Sequence, residues 1–286
     1  MIIVIASKSG QLGNRLFQFA HFISYAEEYG VSIYNPSFCD YSNLFESTSR
    51  NQLIYYSSNL DKKDRSYNFN KWQPTFYKIV NIWARFINRL QMGNFIFKTY
   101  ILEEDESLAI DYFKFHSRIN FVLGWRYNAK SLVVKHRKKI LQFLEFKKEI
   151  KDNVDCFLKK IDDKYTIIGI HIRRGDYKTF EGGKYYFGNN VYQDAMYSMA
   201  KLVRNPYFII SSNNEVDLDN NDLKFIKAPG SFIEDLIMLS KCKYIIGPPS
   251  TYSMWASFYG DVPLFQLKKP FSKFNLKDFN SIMVKN

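Results

Sequence analysis

The sequence is poor in cysteine, histidine and acidic side chains. It has only three cysteines and four histidines in 286 residues. Cys39, Cys156 and Cys242 lack the spacing of a zinc site and form an odd set, which predicts a reducing compartment and a cytoplasmic protein. Acidic residues number 28 against 40 basic ones, so the formal net charge of +12 predicts an anionic partner.

Long apolar runs are missing as well. No stretch approaches the roughly 20 apolar residues of a membrane-spanning helix. The opening MIIVIASKSG has no basic region before its apolar run, unlike a signal peptide, and is interpreted as a first β-strand. The densest basic segment, 135–148, has apolar positions on one helical face. It is either the solvated face of an amphipathic helix or a contact with a membrane surface, which would make the protein peripheral.

Short apolar runs alternate with helical periodicity along most of the chain. This alternation predicts an α/β protein with parallel sheets in two halves, 1–155 and 156–286. Residues 35–75 are expected to form short elements and loops, and 76–91 a helix. The predicted strands are 2–6, 120–125, 165–172, 207–212 and 243–249.

The segment GIHIRRGDYKTF, residues 169–180, is the strongest motif. Arg173 and Arg174 follow the carboxyl end of a predicted strand, where open α/β sheets bind ligands. Two planar guanidinium groups can neutralise a diphosphate without a metal ion. Asp176 is expected to orient one arginine, and the alternative is a purely structural ion pair of Asp176 with either of them. His171 alone is equally compatible with packing and with function.

Two further segments follow predicted strands. GQLGNRLFQ places Gly10 and Gly13 between a strand and a helix, which indicates a tight turn or an anion site to which Asn14 adds a donor. It lacks the third glycine of the dinucleotide fingerprint. GPPSTYSMW places Ser250 and Thr251 where they would cap the next helix and present its N–H groups to a phosphate.

Two other patterns of charged residues point to different functions. Asp217 and Asp219 have the Asp-x-Asp spacing that holds a divalent metal in many nucleotide-sugar enzymes, but the arginine pair already supplies the countercharge, so no metal is predicted. The charge of +12 with 21 tyrosines would suit a nucleic-acid-binding protein. No nucleic-acid-binding motif accompanies them, so a nucleic-acid partner is not expected.

In this order the three motifs resemble the inverting fucosyltransferases, specifically the bacterial α-1,2-fucosyltransferase family, glycosyltransferase family 11. GQLGNRLFQFA is similar to that family's Gly-x-Leu-Gly-Asn-Gln-Met-Phe-Gln-Tyr-Ala, and HIRRGDY matches His-x-Arg-Arg-x-Asp-Tyr. DLIMLSKCKYIIGPPSTYSMWASFYG resembles its third block. The resemblance spans 7–260, although 35–115 match no part of the family pattern. Arg15 in place of glutamine, Pro248 with Pro249, and Met254 depart from it and leave linkage and acceptor open.

The resemblance implies a GT-B fold of two Rossmann-like domains facing across a cleft. Residues 1–155 would form the acceptor-side domain and 156–286 the donor domain that binds GDP-fucose, with no cofactor and no metal. Arg173 would be the central catalytic residue, with Asp176 or Glu181 as the general base. The implied donor-binding residues are Gly13, Asn14, His171, Arg173, Arg174, Asp235, Ser250 and Thr251.

The resemblance further implies inverting transfer of L-fucose to a glycan hydroxyl through an α-1,2 linkage. A lipid-linked oligosaccharide of polysaccharide biosynthesis is the acceptor class it suggests. The alternatives are another GDP-sugar transferase with the same arginine arrangement, such as an α-1,6- or O-fucosyltransferase, and a catalytically inactive sugar-binding relative.

Overall fold

The computed structural model describes residues 1–51, 53–58, 72–91, 96–102, 115–124, 128–218, 222–270 and 273–281. It divides into two compact units, Met1–Lys147 (unit 1) and Lys148–Asn286 (unit 2). The division precedes the helix Lys148–Leu158, which stays whole in unit 2, whereas a boundary after residue 155 would cut it. Among the described residues, no helix combines the length and apolarity needed to cross a bilayer.

The strands of unit 1 are β1 (Ile2–Ile5), β2 (Ser32–Tyr34), β3 (Tyr55–Ser57), β4 (Phe97–Leu102) and β5 (Ile119–Gly124). They form a five-stranded sheet of order β3-β2-β1-β5-β4, in which every neighbouring pair is parallel except β2 with β3. The opening apolar run forms a first strand, as expected, and this strand lies at the centre of the sheet. The strands β2, β3 and β4 were not predicted.

The helices of unit 1 cover its sheet. They are α1 (Leu12–Tyr29), α2 (Glu46–Ser49), α3 (Gln73–Arg89), α4 (Lys130–Lys135) and α5 (Arg137–Phe143). The basic segment from residue 135 is not one helix, because α4 ends and α5 begins at His136. Four of its five apolar side chains are buried in unit 1 and the fifth, Leu141, is half-buried; the buried four are Ile140, Phe143, Leu144 and Phe146. The side of this segment that reaches solvent is therefore mainly charged.

The elements of unit 2 are α6 (Lys148–Leu158), β6 (Thr166–Ile172), α7 (Asn189–Ala200), β7 (Pro206–Ser212), β8 (Phe225–Lys227), α8 (Phe232–Ser240), β9 (Tyr244–Gly247), α9 (Thr251–Gly260) and β10 (Leu264–Gln266). Its strands form a five-stranded sheet of order β10-β9-β6-β7-β8, in which every neighbouring pair is parallel. In this sheet the chain enters at the central strand β6, continues outward through β7 and β8, and then crosses to β9 and β10. The connections therefore diverge between β6 and β9, and such a switch point is where open α/β sheets bind ligands.

The alternation along β6 sorts its side chains between the two faces of the sheet. Ile170 and Ile172 belong to the core cluster that also contains residues of α7. Gly169 lies on the other face, where an added Cβ would meet the side chain of Leu239 in α8 at 2.5 Å. Because successive side chains of a strand point to opposite faces, His171 belongs to the face covered by α8 and α9.

Candidate active site

Arg173 stands at the carboxyl end of β6, directly beside the switch point. Its Nη2 donates to Oδ2 of Asp176 at 2.9 Å, and its guanidinium carbon lies 5.6 Å from the ring centre of Tyr177. The side chain is 15% exposed, so it is anchored by its neighbours and still reaches the surface. Asp176, on the 3-10 turn Gly175–Lys178, orients this arginine, as the motif predicts for one of the two adjacent arginines.

Arg174 points the other way and is buried. Its guanidinium donates to the backbone carbonyl of Phe187 and to the side-chain oxygen of Asn189, at the start of α7. Its backbone N–H donates to Oδ1 of Asn213 at 2.7 Å. Asp176 is therefore not its partner, which corrects the expectation that Arg174 would pair with that carboxylate. Strand alternation is the reason, because neighbouring residues leave the sheet on opposite faces.

We expect Arg174→Lys to lower stability more than turnover. A lysine ammonium keeps the charge but cannot span both acceptors at once, so one buried oxygen loses a charged donor. That loss costs about 2 kcal/mol of unfolding free energy. Thermal melting of Arg174→Lys beside Lys178→Gln, an exposed change in the same loop, would measure it. Equal melting temperatures for the variant and the parent protein would contradict the structural role.

His171 is buried beneath Arg173 and is neutral at physiological pH. Burial, and then the charge of Arg173, lowers the pKa of His171 to about 3. Its ring lies 5.0 Å from that of Tyr252 in α9, and its Nδ1 has no hydrogen-bond partner among the described residues. The end of β9 packs against it, since an added Cβ on Gly247 would lie 2.9 Å from the Cβ of His171. The glycine thus permits close approach of the two strand ends.

Asp235 is a buried carboxyl group in the first turn of α8. That helix begins with a capping box of Ser231 and Glu234, which leaves Asp235 to face the sheet. Burial raises the pKa of Asp235 to about 7, with a nearby hydroxyl of Ser211 opposing the shift and the charge of Glu234 adding to it. Its Oδ1 accepts no hydrogen bond from the part of the chain that the structure describes. A buried acceptor without a partner is costly, which indicates a ligand contact.

Ser250 and Thr251 form the start of α9 at the same edge of the sheet. Ser250 caps the helix by accepting the N–H of Tyr252 at 3.3 Å, which confirms the capping interpretation. The loop before it is tied to the arginine loop, because the hydroxyl of Tyr177 donates to the carbonyl oxygen of Pro249 at 2.6 Å. Burial raises the pKa of Tyr177, so this hydroxyl stays protonated. The helix terminus therefore lies beside the loop that carries Arg173.

Glu181 is exposed in the turn Phe180–Gly183, and it adopts a left-handed backbone with φ of 46°. A non-glycine residue in this region is uncommon and is found more often at functional sites. The negative charges of Asp176 and Glu181 both raise the pKa of the Tyr177 hydroxyl, in addition to the larger effect of burial. Both candidate bases thus lie near the arginine loop, and only Asp176 pairs with Arg173 in the structure.

Gly13 and Asn14 lie in unit 1, in the first turn of α1 after β1. The left-handed residue of the preceding loop is Gly10, where φ is +56° and an added Cβ would collide with the side-chain amide of Asn14 at 2.1 Å. Arg15 stands where the family pattern has glutamine, and its Nη1 lies 2.7 Å from Oδ2 of Asp40. Lys8 contacts the other oxygen of Asp40, also at 2.7 Å. The loop therefore carries both a tight turn and polar side chains.

Of the Asp-x-Asp pair, Asp219 lies outside the described residues. The backbone oxygen of Asp217 accepts a hydrogen bond from the side-chain amide of Asn189. Within the described ranges, no three histidine, cysteine, aspartate or glutamate side chains gather as metal ligands.

The family model for glycosyl transferase family 11 matches residues 78–278, which is most of the chain. The chain belongs to glycosyl transferase family 11. It is 23% identical to the Escherichia coli protein described as alpha-1,2-colitosyltransferase, over 98% of this chain and 96% of that one. A family 11 protein is a glycosyltransferase, so the prediction of a glycosyltransferase is confirmed.

Solved structures confirm the fold. NodZ alpha-1,6-fucosyltransferase from Bradyrhizobium, soaked with GDP-fucose, matches with a TM-score of 0.52 at 15% identity, over 97% of this chain and 96% of that one. A mutant of Arabidopsis thaliana FUT1 in complex with GDP matches with a TM-score of 0.54 at 14% identity, over 93% and 70%. The prediction of an α/β, GT-B-like protein with two Rossmann-like units is thereby confirmed.

Several residues of this family 11 site were missed in the sequence. Tyr177 lines it from the arginine loop and Tyr252 from the first turn of α9, Asn213 holds the arginine loop, and Ser211 faces the buried carboxyl group. Ser211 and Asn213 could have been found, because Ser211 lies near the carboxyl end of the predicted strand 207–212 and Asn213 directly follows it. The tyrosines gave no signal of their own in a chain with 21 of them.

Proposed function

We propose that this glycosyltransferase moves L-fucose from GDP-fucose to a hydroxyl of a glycan acceptor. The observation that carries the proposal is Arg173, held by Asp176 at the exposed carboxyl edge of β6, beside the N-terminus of α9. A guanidinium and a helix N-terminus together suit a diphosphate. The fold shared with NodZ, which was soaked with GDP-fucose, supports the choice of donor.

In this proposal Arg173 stabilises the negative charge that grows on GDP as it leaves. In many enzymes the largest single contribution to transition-state stabilisation comes from fixed hydrogen-bond donors that point at the developing charge. These donors need no reorganisation during the reaction. The Ser250–Thr251 turn adds the dipole of α9 on the same side. The acceptor oxygen attacks the anomeric carbon from the opposite face, so the configuration inverts. We assign the stabilisation of the diphosphate charge to Arg173 and the N-terminus of α9, so the proposed transfer uses no metal and no cofactor.

The acceptor hydroxyl must lose a proton during this displacement. Asp176 already serves Arg173 through their ion pair, so we assign it a positioning role and name Glu181 as the first base to test. Glu181→Gln should then lower turnover while GDP affinity is retained. Loss of both together would instead assign Glu181 to donor binding.

The guanine base is proposed to contact Asp235, with the side chains of His171 and Tyr252 nearby. The N1–H and the amino group of guanine are neighbouring donors, and one carboxylate can accept a hydrogen bond from each of them. Asp235 has a carboxyl oxygen that accepts no hydrogen bond from the described residues. Gly13 and Asn14, in the first turn of α1, remain proposed donor-binding residues.

The name of the colitosyltransferase relative supports an α-1,2 linkage and raises a second donor. Colitose is L-fucose without its 3-hydroxyl, so GDP-colitose would present the same diphosphate and guanine. Release of GDP from each donor, with a panel of lipid-linked and free oligosaccharides, would distinguish the two donors. The same panel separates α-1,2 from α-1,6 and O-linked transfer, and no release with any acceptor would indicate an inactive relative.

GDP is expected to bind at least about tenfold more tightly than ADP or UDP, and EDTA should leave its affinity unchanged. The reason is that Asp235 selects guanine, while arginine and a helix terminus take the place of a cation at the diphosphate. Isothermal titration calorimetry with and without EDTA measures both effects. Binding that disappears with EDTA and returns with manganese would overturn the metal-independent mechanism.

A further inference from the structure

The outer face of α3 is a surface of unit 1 to which the proposed transfer reaction assigns no role. The inner face of this helix is fixed to the sheet. Val80 and Ala84 pack in a core cluster with residues of β1 and β5, and the side-chain amide of Asn81 donates to the carbonyl oxygen of Ala6 at 2.6 Å. The rotation of α3 about its axis is therefore set, and its other side must face outward.

That outward side is apolar. Large apolar side chains between 49% and 66% exposed recur at helical spacing, and we call them the apolar stripe: Trp72, Ile79, Ile82, Trp83, Phe86 and Leu90. Residues three, four and seven apart share one face of a helix, so these side chains form a continuous band along α3. Exposed apolar surface of this extent on a soluble protein marks an interaction site.

The edge strand β4 extends the apolar stripe. Thr99 donates to the carbonyl oxygen of Ala84 at 3.0 Å, so this side of β4 faces α3. Phe97 and Ile101 lie on the same side by strand alternation and are 39% and 43% exposed. The apolar surface thus continues from α3 onto the neighbouring edge strand β4.

Basic side chains border the apolar stripe. Lys78, Arg85 and Arg89 are exposed and recur at intervals of seven and four residues, so they form a row along one side of the stripe. Residues 65–102 contain no acidic side chain at all, and their basic ones are Arg65, Lys71, Lys78, Arg85, Arg89 and Lys98. The stretch of sequence that carries the stripe therefore has charge of one sign only.

We infer that the apolar stripe and its basic row dock unit 1 onto an anionic phospholipid surface. An amphipathic helix with tryptophan, phenylalanine and isoleucine on one side, and lysine and arginine beside them, lies in the plane of a bilayer interface. Its apolar side chains enter the boundary of the acyl chains, and its cations meet the lipid phosphates. Tryptophan and tyrosine are favoured at this interface because their side chains are amphipathic, and the interface is apolar on one side and hydrated on the other.

A second copy of the chain fits this surface less well. A two-fold contact brings the same patch of both subunits together. Both basic rows would then border one interface without an acidic partner from residues 65–102. Lipid phosphates supply the missing negative charge, which a second copy of the same stripe does not.

The other basic segment of unit 1 provides a matched control. Lys138 and Lys139 are exposed on α5, but four of the five apolar side chains of that segment are buried in the core and the fifth, Leu141, is half-buried. The segment can attract anions without entering a bilayer. Comparing equal charge changes on α3 and α5 separates docking through the stripe from nonspecific attraction.

The test is sedimentation of the full chain with vesicles of phosphatidylcholine alone and of phosphatidylcholine with phosphatidylglycerol. The parent protein should sediment with the anionic vesicles only. The triple variant Ile82→Ser, Trp83→Ser and Phe86→Ser should lose more than about tenfold in partitioning. Lys78→Gln with Arg89→Gln should lose about tenfold or more, since each basic residue near the surface contributes measurably. Lys138→Gln with Lys139→Gln should partition like the parent protein.

Three outcomes would overturn the inference. The first is no partitioning of the parent protein, or equal partitioning onto both vesicles. The second is an equal loss for the α5 pair and the α3 pair. The third is a dimer by size exclusion with light scattering that the triple variant converts to a monomer without any lipid binding. Circular dichroism checks folding, and the two charge pairs keep the comparison valid if the triple variant misfolds.

Discussion

Arg173→Lys is expected to give a folded protein with about 100- to 1000-fold lower turnover, which corresponds to about 3 to 4 kcal/mol of transition-state stabilisation. Lysine keeps the positive charge but loses the planar fork that meets two phosphate oxygens at once. It also loses the geometry that Asp176 holds, because the ion pair at 2.9 Å uses one arm of the guanidinium. GDP affinity should fall less than turnover, since charge on the leaving group peaks in the transition state.

The measurement is release of GDP from GDP-fucose with acceptor present, with thermal melting as the folding control. Arg174→Lys is the matched variant, because it removes the same fork one position away on the opposite face of the sheet. We expect Arg174→Lys to show the larger loss of stability and the smaller loss of turnover. If Arg173→Lys kept more than about a tenth of the activity while Arg174→Lys lost it, the two roles would be reversed.

The place of the site could be predicted from the sequence. Two apolar runs define neighbouring strands of a parallel sheet: one leads to His171 and Arg173, the other to Ser250. Because the strands are parallel, the polar residues at their carboxyl ends lie at one edge of the sheet. Alternation along a strand also implies that Arg173 and Arg174 diverge. It does not say that the carbonyl of Phe187, 13 residues downstream, would receive Arg174. That contact depends on where α7 begins, which is set by packing across the unit.

Other features were beyond the sequence for different reasons. The strands β8 and β10 have three residues each, too few for a periodic pattern. β4 carries exposed apolar side chains on an edge, which does not match the buried run expected of a parallel strand. The burial of Asp235 arises from α8, β7 and α9 together, so its shifted pKa is a tertiary property. The role of that carboxyl group leads to the second large effect.

Asp235→Asn is expected to weaken binding of GDP-fucose by about 100-fold and to reduce the preference for guanine. A carboxylate accepts both donors of the guanine edge, whereas an asparagine amide brings its own N–H groups against one of them. Two charged hydrogen bonds are worth about 3 kcal/mol together, and a buried donor left without a partner adds to the loss. The matched control is Glu234→Gln, a neighbouring change at the exposed helix cap, which should change nucleotide affinity far less, because Glu234 acts on Asp235 only through its charge.

The same carboxyl group should make donor binding pH-dependent. Burial raises the pKa of Asp235 to about 7, so the group is largely protonated below neutral pH and largely ionised above it. Guanine binds the ionised form, so affinity for GDP-fucose should fall about tenfold between about pH 8 and about pH 6. His171 does not contribute in this range, because its pKa is lowered to about 3 and it stays neutral throughout. Calorimetry of Asp235→Asn across the same range should give a flat profile. A flat profile for the parent protein, or an unchanged slope in the variant, would remove Asp235 from the guanine site and leave its burial without a binding role.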